Sequence, residues 1–194
     1  MLIFWQQRLV FLATPKAGSS AVEAALEPLA AVSVQRPAEL KHVDIADFRS
    51  HVQPWLEATS GGPFTTVALM REPVEWLRSW YRFKLRDDHD DPEHPMAGIR
   101  FADFAKAYAT PGGPDRLAIE GQARFLTGGG QPVDRIFRYE EIDRFVEFLE
   151  DQLDCAISLP RVNVPPSVDV DLTADEEQAL RAAMDAEIAL YRTL

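Results

Sequence analysis

Leu9-Val10-Phe11-Leu12-Ala13-Thr14-Pro15-Lys16-Ala17-Gly18-Ser19-Ser20 is the stretch on which the fold turns. Leu9 to Ala13 is a continuous apolar run without polar alternation, which suits a strand buried on both faces of a parallel sheet. A short polar turn follows. Val22, Ala25, Leu26 and Leu29 then recur at helical spacing, which predicts a helix over Ser19 to Leu29. Strand, turn and helix in that order open a βαβ unit and predict an α/β fold.

The same pattern repeats downstream. Ser60-Gly61-Gly62-Pro63 is a turn, and Thr65 to Met70 is a second buried strand with β-branched residues at its start. Pro73 suits the first turn of the next helix, whose apolar face is Trp76, Leu77, Trp80, Tyr81 and Leu85. Trp76 and Trp80 are also candidates for an exposed interface patch. Asp134 to Arg138 reads as a third strand centred on Ile136 and Phe137. Lys41 to Leu56 contains a helical stretch with Ile45, Phe48, Val52 and Leu56 on one side. Further helices are expected at Phe101 to Tyr108, at Ile119 to Leu126, and at Glu140 to Leu153 with a stripe through Ile142, Phe145, Val146 and Leu149. Thr173-Ala174-Asp175-Glu176 reads as a capping box that starts the last helix. No linker divides the chain, so residues 1–194 are expected to form a single domain.

Composition narrows the function. Hydrophobic residues make up 46% and charged residues 26%, a globular balance. The formal net charge is −11, which disfavours nucleic acid as a partner and a broadly basic surface for polyanionic sugars. A local basic pocket remains compatible with that total. Cys155 is the only cysteine, so no disulfide forms within the chain, and a buried structural thiol in a reducing compartment is expected. No stretch approaches the ~20 apolar residues that cross a bilayer, so no transmembrane segment and a cytoplasmic location are expected. The acidic loop from Asp87 to Gly98 carries His89 and His94. Its spacing matches no metal-ligand pattern, which favours a solvated loop, and no metal is expected.

Two segments carry chemistry. Pro15-Lys16-Ala17-Gly18-Ser19-Ser20 lies between a strand and a helix, where backbone N–H groups and the helix dipole favour an anion. Gly18 permits close backbone approach, Lys16 brings a mobile cation, and Ser19 and Ser20 bring hydroxyl donors. An ATP-type loop would need Gly-x-x-x-x-Gly-Lys-Ser/Thr, whereas here the lysine precedes the glycine by two residues. The second segment is Arg71-Glu72-Pro73, directly after a buried strand, at the sheet end where open α/β folds place ligands. Arginine offers a planar fork suited to phosphate. Taken alone, the first segment also fits an ordinary strand-to-helix turn with a surface lysine, and the second an arginine capping its own sheet edge with Ser79 facing solvent from the helix.

Together they resemble the sulfotransferase family. Pro15 to Ser20 is similar to that family's 5′-phosphosulfate loop. Arg71-Glu72-Pro73, with Ser79 eight residues after the arginine and then Trp80-Tyr81, resembles its 3′-phosphate motif. Phe137-Arg138-Tyr139-Glu140 is similar to a later strand-end element, and Leu159-Pro160-Arg161-Val162-Asn163 to a Pro–Asn segment of carbohydrate-type members. The resemblance spans about Leu9 to Asn163. It implies a three-layer α/β/α, P-loop-like fold with a central, mainly parallel sheet. It implies 3′-phosphoadenylyl sulfate as donor, adenosine 3′,5′-bisphosphate as product, and a hydroxyl or amine acceptor such as a carbohydrate or glycolipid. Lys16 would stabilise the bridging oxygen, with Pro15, Ala17, Gly18, Ser19 and Ser20 around the 5′ end. Arg71 and Ser79 would hold the 3′-phosphate, and Tyr139 would contact the adenine side.

A base must take the acceptor proton. His42, between the two phosphate segments, is the first candidate because histidine titrates near neutrality, and Glu23 is the alternative. The Arg-Lys-Gly element of many small-molecule members has no counterpart, which leaves Arg161 and Asn163 as other help for the 3′ end. Arg78, Arg82 and Arg86 either line an acceptor site or form a solvated helix face. Two other functions stay open at this point. One is a nucleotide-dependent kinase, disfavoured by the lysine position. The other is a non-catalytic nucleotide-binding module.

Overall fold

A computed structural model of the chain describes residues 1–85, 94–110, 112, 119–128, 130–162 and 168–194. These pack as two units, one of residues 1–71, 121–162 and 194, the other of residues 72–120 and 163–193.

The first unit is built on a five-stranded sheet: β1 (Leu2–Phe4), β2 (Leu9–Leu12), β3 (Val32–Ser33), β4 (Thr65–Met70) and β5 (Arg135–Arg138), in the order β3-β1-β2-β4-β5. The three expected strands are present and parallel, with Val10 opposite Thr66 and Met70 opposite Arg138. The sheet is mixed, because β1 and β3 add antiparallel pairings at one edge. Both had escaped the periodicity argument. Leu2–Phe4 is too short to declare itself, and Val32–Ser33 supplies only two residues.

Burial explains the unbroken apolar runs. Leu9, Phe11 and Ala13 join Val67 and Leu69 in a core closed by Val22 and Leu26 of α1 (Ser19–Leu26) and by Phe145 and Leu149 of α8 (Ile142–Leu153). The alternate residues Val10, Leu12, Ala68 and Met70 are equally buried on the opposite face. A strand covered on both sides has no position for a polar residue.

The helices depart from expectation where proline or glycine intervenes. α1 stops at Leu26, and Glu27–Leu29 tightens to a 3₁₀ turn around Pro28. The Lys41 to Leu56 stretch is not one helix. It comprises α2 (Ala38–Lys41), α3 (Ile45–Asp47), a π turn at Phe48–Val52 and α4 (Gln53–Ser60). Pro54 has no N–H to donate four residues back, and the wider turn ends where the Gln53 N–H donates to the Phe48 carbonyl. Ile45, Phe48 and Leu56 still share burial. α7 (Gln122–Thr127) is shorter than the expected Ile119 to Leu126 helix and ends at Gly128, whose φ is 34°.

The second unit holds α5 (Pro73–Lys84), α6 (Phe101–Ala109), α9 (Ala174–Ala183) and α10 (Asp185–Arg192). Pro73 opens α5 as expected, and Glu72 caps it by accepting the Glu75 N–H. Thr173 and Glu176 form the expected capping box. Trp76 is buried among Leu77, Tyr81, Phe104, Leu180 and Met184, so it is a core residue and not an exposed interface aromatic. Residues 86–93, which include Arg86, His89 and most of the acidic loop, and Asn163 lie outside the described residues. Among the described residues no helix is long and apolar enough to cross a membrane.

Candidate anion-binding site

Parallel pairing sets the site. The C-terminal ends of β2, β4 and β5 share one sheet edge, and the residues immediately past them are Ala13-Thr14, Arg71 and Tyr139. The sheet thus brings three segments that are remote in sequence to one place.

From β2 the chain turns through Pro15–Gly18 into α1. Lys16 has φ 63° and Gly18 has φ 80°, so the loop places two left-handed residues around Ala17, which is fully buried. Lys16 adopts that conformation without the freedom of glycine, at a cost of about 1 kcal/mol. Gly18 is required for a second reason: a Cβ there would stand 2.5 Å from Cε2 of Tyr139. The ring lies where any other residue would put its side chain. At the start of α1 the Ala21 and Val22 N–H groups donate to the Gly18 carbonyl at 3.0 and 3.4 Å. Those of Ser19 and Ser20 belong to the orphan donors of a helix start, and no acidic residue occupies the first turn. Ser19 is buried and Ser20 half-buried.

Arg71 reaches toward this loop. Its Nη1 donates to the Lys16 carbonyl at 3.5 Å, and its guanidinium lies 5.1 Å from the centroid of the Tyr139 ring. Tyr139 therefore touches Gly18 along one ring edge and carries Arg71 over its face. Arg71, Lys16, Gly18 and Tyr139 form one contiguous group.

His42 joins the same edge. Its Nδ1 is 2.6 Å from the carbonyl oxygen of Ala13, at the end of β2. A carbonyl can only accept, so Nδ1 carries the proton of the neutral ring and Nε2 keeps its lone pair. Burial lowers the His42 pKa below its usual 6.5. The Ala13 carbonyl opposes this, Lys41 adds to it, and Glu23 opposes it. Glu23 itself is 2% exposed, accepting from Lys41 Nζ at 2.7 Å and from the Met1 ammonium at 3.3 Å.

Ser79 lies on α5, half-buried, in the second unit. Arg78 there pairs with Glu75 at 2.6 Å and donates to the Val170 carbonyl, so it is committed locally.

Two residues of the edge were given no role by the sequence, although Thr14 heads the loop segment itself. Thr14 is fully buried, and its Oγ1 has no hydrogen-bond partner among the described residues. Gln122 is buried at the first position of α7 and bonds both backbone groups of Arg71. Only the oddity of a glutamine ahead of the apolar Phe125-Leu126 pair could have marked it.

No protein-family profile, curated protein or solved structure matches this chain.

Proposed function

We propose that the chain is a sulfotransferase of P-loop-like fold that moves a sulfuryl group from 3′-phosphoadenylyl sulfate to a hydroxyl or amine. The observation that carries this is the meeting of Arg71 with the Lys16 to Ser20 loop at one sheet edge. Two separate cations there suit a donor with phosphate at both its 5′ and 3′ positions.

In the reaction the acceptor oxygen attacks sulfur in line. The new S–O bond forms as the bridging S–O bond breaks, and adenosine 3′,5′-bisphosphate leaves with the electron pair. Lys16 stabilises the charge that grows on the bridging oxygen, and the N–H groups at the start of α1 hold the 5′-phosphate. Arg71 takes the 3′-phosphate. His42 accepts the acceptor proton at Nε2, the nitrogen left open by the Nδ1 bond to Ala13. Glu23 is not placed for this role, because it is buried and its carboxylate is already bonded to Lys41 and the Met1 ammonium. A neutral carbohydrate or glycolipid hydroxyl fits the acidic chain better than a polyanionic acceptor.

Calorimetry with adenosine 3′,5′-bisphosphate, 5′-AMP and ATP tests the assignment. Loss of the 3′-phosphate removes its ion pair with Arg71 and should cost about 2–4 kcal/mol. Equal affinity for the bisphosphate and 5′-AMP would refute it, and magnesium-dependent ATP turnover would replace it with a kinase.

A further inference from the structure

We infer that Gln122 is the positioning residue that aims Arg71 at the 3′-phosphate, a role that rests on the sulfotransferase reading. The last ladder partner of β4 is Met70, opposite Arg138. Arg71 is the first residue beyond it, where sheet pairing no longer defines the backbone. There the Gln122 side chain takes over. Its Oε1 accepts from the Arg71 N–H at 2.9 Å, and its Nε2 donates to the Arg71 carbonyl at 2.9 Å. One primary amide thereby satisfies both groups, as a neighbouring strand would.

Gln122 is itself fixed. It is 1% exposed and starts α7, whose Phe125 and Leu126 are buried and whose Leu126 carbonyl accepts the Val133 N–H at 2.8 Å. With both backbone groups of Arg71 held, the direction of its Cα–Cβ bond is set before any ligand arrives. The guanidinium then starts from its place over Tyr139. Filling this volume needs only an apolar side chain such as methionine. Matching an N–H and a carbonyl at equal distances needs an amide of this length. Displacements of about 1 Å at such a group cost up to ~10²-fold in function.

The test is the preference for adenosine 3′,5′-bisphosphate over 5′-AMP, measured by calorimetry on Gln122→Met and Gln122→Asn. 5′-AMP reports the Lys16 to Ser20 loop alone. Both variants should lose about tenfold or more of the preference, with 5′-AMP affinity held to within about twofold. Asparagine carries the same amide one methylene short and should behave like methionine. In an Arg71→Ala background, Gln122→Met should change nothing further. An unchanged preference, or equal weakening of both ligands, would overturn the positioning role and leave Gln122 a structural residue. Should these variants fail to accumulate as folded protein, Gln122→Glu sets a carboxylate oxygen against the Arg71 carbonyl and so breaks half of the fork; it too should lose the preference, and full retention by it would overturn the role. A wild-type protein with no preference at all would instead remove the sulfotransferase reading, and this role with it.

Discussion

His42 is held by a carbonyl on one nitrogen and surrounded by Lys41, Glu23 and the Met1 ammonium. Burial keeps it neutral, and its folded pKa falls below the 6.5 expected of the unfolded chain. Below pH 6.5 the unfolded state therefore binds more protons, so stability drops as pH falls through the folded value. On the proposed sulfotransferase reading, turnover should decline over the same limb, because only the neutral ring accepts a proton. His42→Ala should flatten the acid limb of stability, leave bisphosphate binding unchanged, and slow sulfuryl transfer about 10²–10⁴-fold. A variant with wild-type turnover at saturating donor would remove His42 as the base. At this scale the sequence was readable only where a residue's position follows from its nearest strand end. Lys16, Gly18 and Arg71 stand beside their own strand ends, so spacing predicts where they lie. The Gln122 fork joins residues 51 apart, and Tyr139 meets Gly18 only because β5 lies next to β4 and β4 next to β2.

Strand registry is secured at the opposite end of β4 and β5. Asp134, one residue before β5, accepts from both the Thr66 N–H and its hydroxyl at 2.7 Å, and its own N–H donates to Thr66 Oγ1 at 2.9 Å. Arg49, on the π turn, adds bonds to Asp134 and to the Pro132 carbonyl. Thr66 is buried, so Asp134→Ala would leave its N–H and hydroxyl without an acceptor. The expected loss is about 1–3 kcal/mol, read as a lower urea midpoint, with Asp134→Asn milder because one acceptor oxygen remains. An unchanged midpoint for Asp134→Ala would show that the clasp does not hold the register. Strands with continuous apolar runs were legible because burial on both faces excludes polar residues. β3 was not, since two residues carry no period, and the π turn was not, since apolar spacing through Ile45, Phe48 and Leu56 survives a local change of helical pitch.

The whole molecule carries 31 acidic and 20 basic side chains, and that excess bears on which ligands can approach. Screening at physiological salt acts over about 8 Å. On the proposed reading, a small bisphosphate brings its charges against Lys16 and Arg71 while the rest of the surface is screened from it. A polyanion cannot do the same, since every further phosphate along it meets a net acidic chain instead of a basic footprint. Single-stranded DNA and sulfated polysaccharide should therefore fail to displace bound adenosine 3′,5′-bisphosphate at about 0.15 M salt, followed by anisotropy of a labelled bisphosphate. Lowering the salt should not rescue them, because repulsion from the acidic surface then reaches further. Displacement that strengthens as salt falls would reveal a continuous basic track, and would move the acceptor class from neutral hydroxyl compounds to anionic polymers.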